Sequence, residues 1–508
     1  MQNLYKTTAL VTVFTAFEHF LGFLYRIILS RTLGAEGLGI YQVALSVYSV
    51  FLTVSASGLP VTLSRTISKH RAAGNPKKGN GATTAAVLIA LMFSLPITLA
   101  LFLLRDPFSH IFADPRSADL FYILLFGLSF TALYTVIRGS FWGNRRFFAY
   151  SVVELFEEIS MITIGILLIL VIPSNLPNVN KAAIAVFVSH FLSFVVALVY
   201  YFIKGGRFSS PKKQFAPMLK SSLPVTSMRA TSSLISSLIS VLFPMRLIAS
   251  GVSPARAMSE YGIVYGMVMP VLMLPSTLIG SIALVLVPEL AESYYKKDKE
   301  KVANLVKKSL NTTLLISISL VPLFLVCGQS IGIFLFSDAE SGKLISYSAL
   351  LIIPMSLSMI TTSMLNSIGC ERQTLLFFLM GSAAMLLSVW FLPKYLGSGA
   401  LALGMTLNFV LISTCSLLLL KKRTTLRSGK YCLKLLLVAL PAIAVGFGVQ
   451  YFLMKVLSYL PATIITFVIM VSVEALLLWA LKLFDFKAFF KRFLPNKLHL
   501  RKKARAHK

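Results

Sequence analysis

Residues 83–104 read TTAAVLIALMFSLPITLALFLL, a stretch without a charged residue that lies between Lys78 and Arg105. A bilayer core is crossed by about 20 residues of α-helix. Because lipid offers the peptide groups no hydrogen-bond partner, an apolar run of this length is stable there as a helix. The stretch therefore predicts a membrane-spanning helix, and its composition recurs along the chain.

Fourteen stretches share this apolar character. They lie at 8–30, 38–63, 83–104, 119–137, 151–173, 182–203, 221–249, 261–288, 309–326, 344–366, 374–393, 398–420, 431–453 and 459–481. Of all 508 residues, 56% are hydrophobic and 13% are charged, and the mean hydropathy is +0.81. A soluble chain carries about a quarter charged residues. We therefore expect an all-α polytopic membrane protein with about fourteen transmembrane helices.

The charges of the connecting loops alternate along the chain. Lys6, the even-numbered loops and the C-terminal tail together hold 36 Lys and Arg residues, whereas the odd-numbered loops hold eight. Because basic loops stay on the cytoplasmic side of a membrane, this alternation predicts that both termini are cytoplasmic. The net charge of +30 is then a topology signal that also attracts anionic membrane lipids. No nucleic-acid partner is predicted, because the cations of such a binder would lie on one soluble face.

The chain also contains an internal repeat. Residues 24–41 (LYRIILSRTLGAEGLGIY) align with residues 244–261 (PMRLIASGVSPARAMSEY) at an offset of 220, which pairs Arg26 with Arg246. Four further matches follow at offsets of 224 to 226: Pro96 with Pro322, Asp114 with Asp338, Gly143 with Gly369, and Arg146 with Arg372. Each copy has six helices, so both share one orientation. Parallel repeats of this kind enclose a cavity that opens to each side in turn.

The repeat defines the predicted domain organisation. Two pseudo-symmetric six-helix lobes are expected at 1–205 and 206–425. Two additional transmembrane helices follow at 426–483, and a basic cytoplasmic tail occupies 484–508.

Few ionisable residues lie inside the predicted spans, and a charge at that depth is costly unless it faces a cavity or a partner. They are Glu18, His19, Arg26, His190, Arg229, Arg246 and Glu474. Lining of a cavity is therefore predicted for Glu18 and His19. Glu154, Glu157 and Glu158, at the start of the fifth span, are interpreted as acidic residues that favour a helix N-terminus. A gating role is the alternative for these three.

Two blocks carry a family resemblance. Residues 21–42 (LGFLYRIILSRTLGAEGLGIYQ) and 57–75 (SGLPVTLSRTISKHRAAGN) resemble the opening of the stage V sporulation protein B branch of the multidrug/oligosaccharidyl-lipid/polysaccharide (MOP) flippase superfamily. Lipid II flippases are related members. The resemblance implies export of an undecaprenyl-pyrophosphate-linked saccharide, lipid II or a related cell-wall precursor, by alternating access. It also implies a bacterial cytoplasmic membrane, and a groove for the lipid tail between the two added helices.

A pyrophosphate substrate then assigns roles to the basic residues. Guanidinium groups bind phosphate oxygens in pairs, so Arg26 and Arg246 are predicted as headgroup contacts that face each other across the cavity. Contact with the outer lipid headgroups is the alternative for both. Arg229 is a further cavity candidate. Arg65 and Lys69 are candidates for the cytoplasmic entrance, although topology alone would also explain them.

Two other classes of protein stay open. The first is a multidrug and toxic-compound cation antiporter of the same superfamily, which Glu18 favours and the paired arginines oppose because arginine repels cations. The second is a membrane enzyme. Neither a GxxxxGK[ST], an HExxH nor a GxSxG motif is present, and the dispersed cysteines form no CxxC pair. We expect a transporter without cofactor or metal that functions as a monomer.

Overall fold

The computed structural model describes residues 2–75, 78–424 and 430–483. The predicted basic tail from residue 484 lies outside the described residues. Between residues 2 and 249 the helices are α1 (Gln2–Ala56), α2 (Leu59–Ala72), α3 (Lys78–Leu103), α4 (Arg105–Ser109), α5 (Pro115–Phe126), α6 (Leu128–Gly143), α7 (Phe147–Ile166), α8 (Asn178–Ile203) and α9 (Lys212–Ala249). A π-helical turn, Leu167–Val171, extends α7.

The remaining helices lie between residues 254 and 480. They are α10 (Pro254–Tyr261), α11 (Met269–Leu272), α12 (Leu274–Tyr295), α13 (Lys299–Phe336), α14 (Ala339–Tyr347), α15 (Ile352–Ser367), α16 (Glu371–Phe391), α17 (Pro393–Leu396), α18 (Gly399–Arg423), α19 (Lys430–Val456) and α20 (Tyr459–Ala480). A π-helical segment, Gly262–Val268, joins α10 to α11, and a 3₁₀ turn, Ala349–Leu351, precedes α15. The described residues contain no β-strand, which confirms the predicted all-α class.

The number of membrane spans is lower than fourteen by length and apolarity. Within the described residues, ten helices are long and apolar enough to cross a membrane, or twelve if each of two bent helix pairs is one span. Two predicted spans are absent from that number for physical reasons. The first two predicted spans fall in one continuous candidate, Val11–Ala72, and α7 carries three glutamates that make it less apolar. The count of fourteen is therefore not confirmed.

The range of α1 covers two helices that meet at a kink, and these correspond to the first two predicted spans. At the kink, Gly34 has φ 69° and ψ 179°, a conformation that is accessible to glycine and strained for residues with a Cβ. The kink lies within the predicted break between residues 30 and 38.

The chain divides into two compact units. The first consists of the described residues of Met1–Thr277 with Leu335–Ser341 and Arg372–Ile412. Its interior includes one apolar cluster between α2, α3 and α6, centred on Leu63 and Ile89, and another between α6, α7 and α8, centred on Phe141. The predicted domain boundaries at residues 205 and 425 stay a prediction.

The second unit consists of the described residues of Leu278–Phe334, Gly342–Glu371 and Ser413–Lys508. Here the two added helices, α19 and α20, pack against α13. Ile318 of α13 shares one buried apolar cluster with Leu435 and Leu478, and Cys327 shares another with Met470. The buried apolar side chains hold the helix pair on α13.

Equivalent positions of the internal repeat have the same local structure where α5 and α14 begin. Asp114 Oδ1 accepts the backbone N–H of Arg116 at 2.8 Å, and Asp338 Oδ1 accepts that of Ser341 at 2.5 Å. An aspartate before the first helical turn satisfies an N–H group that the helix itself leaves free. The aligned aspartates therefore perform the same capping function.

Candidate functional site

A cavity of about 520 Å³ lies in the first unit, beside the connection between α6 and α7. The end of α1, the start of α2, and helices α6, α7 and α9 form its wall. Its lining residues are Leu52, Thr53, Ala56, Ser57, Pro60, Val61, Ser64, Thr135, Arg138, Gly139, Trp142, Tyr150 and Arg229. Two guanidinium groups, several hydroxyl groups and two aromatic rings thus face one space. Such a combination suits a polar, anionic ligand with an apolar attachment.

Arg229 is one of the two cavity arginines. It lies on α9, its side chain is exposed, and its Nη1 donates to the carbonyl oxygen of Ser57 at 2.9 Å. The Ser57 hydroxyl is buried and has no hydrogen-bond partner among the described residues. A free hydroxyl beside an exposed guanidinium leaves hydrogen-bonding capacity for a ligand. Arg229 therefore lines this cavity with a free ligand-binding group beside it, and its predicted role as a substrate contact stays a prediction.

Arg138, the second cavity arginine, belongs to a charged network. Its Nη1 donates to Glu154 Oε1 at 2.9 Å and lies 3.8 Å from Glu157 Oε2. The guanidinium carbon stands 5.3 Å from the ring centroid of Tyr134 and 5.2 Å from that of Tyr150. These contacts hold the guanidinium group by charge and by the faces of two rings.

The carboxylates of α7 extend this network into the helix bundle. Glu157 Oε1 lies 3.0 Å from His190 Nε2 on α8, and Glu154 accepts from the Tyr150 hydroxyl at 3.3 Å. The side chains of Glu154 and Glu157 are 15% and 21% exposed. Helix α7 begins at Phe147, and its first turn contains no acidic residue. The interpretation that Glu154, Glu157 and Glu158 serve a helix N-terminus is therefore wrong, because they lie two to three turns inside the helix. Glu154 and Glu157 bind cations there.

Two predicted cavity residues on α1 lie near the same network. Glu18 is half-buried and interacts electrostatically with Glu154, Glu158 and Arg138. His19 is exposed and interacts electrostatically with Glu154. Neither residue lines the cavity of about 520 Å³. Their predicted role as cavity residues stays a prediction.

The two arginines that are equivalent in the repeat have different partners. Arg26 is half-buried, and its Nη1 lies 3.5 Å from the carbonyl oxygen of Tyr265 in the π-helical segment. Arg246 Nε donates to the carbonyl oxygen of Trp390 at 3.0 Å, and its guanidinium stacks on that ring at 4.6 Å. The guanidinium group of each arginine thus contacts a backbone carbonyl oxygen of another helical segment in the first unit. Their role as headgroup contacts is a proposal.

The predicted entrance residues lie on α2. Arg65 and Lys69 are exposed on this helix, one turn apart. Ser64 of the same helix lines the cavity. Their guiding role also stays a proposal.

Sequence reasoning missed the central position of Arg138. Arg138 directly follows the fourth predicted span (119–137), where the sequence indicates a basic loop residue, but α6 continues to Gly143 and includes it. The spacing of Glu154, Glu157 and Glu158 already places three carboxylates on one face of a helix. Because such a face needs cations inside a membrane, this spacing could have indicated that Arg138 and His190 turn toward it.

Comparison with known proteins gives concordant matches. Residues 4–294 match the family described as "Polysaccharide biosynthesis protein". Stage V sporulation protein B of Bacillus subtilis (strain 168) is 24% identical over 349 residues, which is 65% of this chain and 66%, just under two thirds, of that protein. A structure of "Lipid II flippase MurJ, inward closed conformation" is similar with a TM-score of 0.66 and 15% identity, over 92% of this chain and 98% of that chain.

A second solved structure has the same fold. A multidrug resistance MATE family transporter of the MOP superfamily, in an inward-facing conformation, matches with a TM-score of 0.67 and 16% identity, over 80% of this chain and 94% of that chain. Together the matches confirm the predicted family resemblance and the membrane fold.

Proposed function

The chain belongs to the polysaccharide biosynthesis protein family, within the MOP superfamily of transporters and flippases, and from this premise we propose that it exports an undecaprenyl-pyrophosphate-linked saccharide across a bacterial cytoplasmic membrane. Lipid II or a related cell-wall precursor is the substrate. The observation that carries the proposal is the cavity that Arg138 and Arg229 line within a bundle of long, largely apolar helices. A buried diphosphate needs such cations, because an unpaired charge in a membrane is costly.

The charge pattern supports a direction for the transport. Loop basicity assigns the connection between α6 and α7 to the cytoplasm, where lipid-linked saccharides are made available. The cavity beside this connection would receive the headgroup first. Arg26 and Arg246 would contact it later, nearer the outer ends of their spans.

Flipping in vesicles tests the proposal. Purified protein is placed in liposomes with an undecaprenyl-pyrophosphate-linked disaccharide, and the appearance of sugar on the opposite leaflet is measured with a membrane-impermeant lectin. The variant Arg26→Ala/Arg246→Ala should flip at least about tenfold more slowly, because it loses two sets of charge-assisted hydrogen bonds. Arg105→Ala is the matched control, since Arg105 is exposed.

Two results would contradict the proposal in different ways. If liposomes that contain the wild-type protein flip the lipid-linked disaccharide no faster than protein-free liposomes, the flippase function is refuted. Full activity of the double variant would leave the function and remove Arg26 and Arg246 as headgroup contacts.

A cation antiporter is the second candidate. The carboxylates of Glu18, Glu154 and Glu158 in one network favour it, because an organic cation is bound by buried carboxylates. The two cavity arginines oppose it. Efflux of a fluorescent organic cation from proteoliposomes would favour this alternative if the same proteoliposomes flip the lipid-linked saccharide no faster than protein-free liposomes.

A further inference from the structure

Arg138 lies between the cavity and the carboxylates of Glu154 and Glu157. It lines the cavity beside Arg229, and its Nη1 binds Glu154 and approaches Glu157 on the other side. A guanidinium binds a diphosphate best through two parallel N–H donors. A diphosphate that binds both terminal nitrogens of Arg138 therefore withdraws Nη1, the atom that contacts Glu154 and Glu157, from the glutamates.

The glutamates cannot easily lose this cation. Their side chains are mostly buried, and a carboxylate in an apolar environment is costly without a partner. His190 binds Glu157, but Glu154 has only the Tyr150 hydroxyl besides Arg138 among the bonds of the described residues. Uptake of a proton would remove the uncompensated charge.

We propose that the cavity is the entry subsite for the diphosphate of the substrate, and that the diphosphate takes Arg138 from Glu154 and Glu157, which then bind a proton. Arg229, which lines the same cavity from α9, holds the same diphosphate. Headgroup binding and proton binding therefore strengthen each other, because coupling between two sites is reciprocal. The inference rests on the proposed function, since it assumes a diphosphate-bearing substrate.

Several other titratable groups face these two glutamates from the surrounding helices. They are Glu18 and His19 of α1, Tyr134 of α6, Tyr150 and Glu158 of α7, and His190 of α8. Four carboxylates thus share two arginines, Arg138 and Arg26, and two histidines. The proton that enters belongs to this network, and the removal of Glu154 and Glu157 should abolish its uptake.

The sign of the pH effect follows from the exchange. The bound state holds more protons than the free state, so a lower pH favours binding. For one linked proton, the affinity rises up to about tenfold for each unit of pH decrease. The dependence ends at a pH where the network of the free protein is already protonated.

Calorimetry on the purified full chain in nanodiscs tests the inference. Farnesyl diphosphate is titrated at about pH 6, 7 and 8, each in two buffers of different ionisation enthalpy, which gives the number of protons taken up. Inorganic pyrophosphate is titrated in parallel to distinguish a free phosphate from a lipid-attached one. We expect farnesyl diphosphate to bind with an uptake of roughly one proton.

Three variants separate the contributions. Glu154→Gln/Glu157→Gln should bind the probe without the extra proton, and any uptake that remains belongs to the diphosphate itself. Arg229→Gln should weaken binding at every pH and keep the proton uptake. Glu300→Gln, an exposed residue of α13, should behave as the wild type. If the double glutamate variant does not fold, Arg138→Lys is the substitute, with weaker binding and less uptake expected.

Each outcome has a separate meaning. Equal proton uptake in the wild type and the double glutamate variant would overturn the exchange at Arg138. A wild-type protein that flips lipid-linked saccharide but binds neither diphosphate would overturn the entry subsite. Proton-linked binding of farnesyl diphosphate without flipping in liposomes would support the inference and refute the proposed function instead.

Discussion

At Gly39 and Gly262 two backbones approach so closely that no side chain fits between them. A Cβ atom at Gly39 would lie 2.0 Å from the carbonyl oxygen of Met258, and one at Gly262 would lie 2.0 Å from that of Ala35. Helix α1 therefore packs directly against α10 and the π-helical segment. The obstacles are backbone atoms, which cannot rotate away as a flexible side chain can.

This contact predicts the effect of one added methyl group. Gly39→Ala should lower the free energy of unfolding by about 1–3 kcal/mol, because overpacking of a tight interface forces the backbones apart. Gly448→Ala is the matched control, since nothing lies within 4 Å of its Cβ position in α19, and alanine favours a helix. Thermal unfolding in detergent, followed by circular dichroism, measures both. An equal transition temperature for Gly39→Ala and the wild type would show that the interface can yield.

Between helices, two ion pairs occupy equivalent places with their charges exchanged. Arg116 binds Glu36 and Asp114 in the first half of the repeat, and Arg256 binds Glu340 in the second. In the alignment, residue 36 corresponds to 256 and residue 116 to 340. Each pair fastens the start of one helix to a second segment of the same unit.

A double-mutant cycle measures the strength of the second pair. Arg256 donates to Glu340 through Nη1 at 3.0 Å and through Nη2 at 3.1 Å, which is the favourable two-bond geometry. Both side chains are about half exposed, so Arg256→Gln and Glu340→Gln should show a coupling of about 0.2–1 kcal/mol in the free energy of unfolding. Arg105 and Asp119, with one contact at 3.4 Å, form the control pair with a smaller coupling. Two equal couplings would show that the two-bond geometry adds nothing.

The whole molecule has a charge asymmetry that predicts its orientation. Labelling with a membrane-impermeant thiol reagent tests it, after the four native cysteines are replaced by alanine. Ser174→Cys, in the exposed connection before α8, should react in intact cells. Ser210→Cys, in the exposed connection before α9, should react only after the cells are permeabilised. The opposite result would reverse the orientation and place the cavity of Arg138 and Arg229 on the outer side.

The elements of the fold were predictable to different degrees. The all-α class and the family resemblance are confirmed, because long apolar runs and a local motif are properties of the chain itself. One detail was wrong. Helix α6 continues through Arg138, because Glu154 and the rings of Tyr134 and Tyr150 compensate a charge that would otherwise end a span.

By itself the sequence determined that this chain is built of long apolar membrane helices, and it predicts a basic face on one side of the bilayer. The length of an apolar run and the charge of a loop determine how that segment interacts with lipid and water. Both can therefore be read from the sequence without knowing which helices pack against each other. Only the tertiary structure decided that Arg138 stands between a cavity and the carboxylates of Glu154 and Glu157. That meeting depends on how α6, α7 and α8 are rotated about their axes, and the packing of side chains from distant parts of the chain sets this rotation.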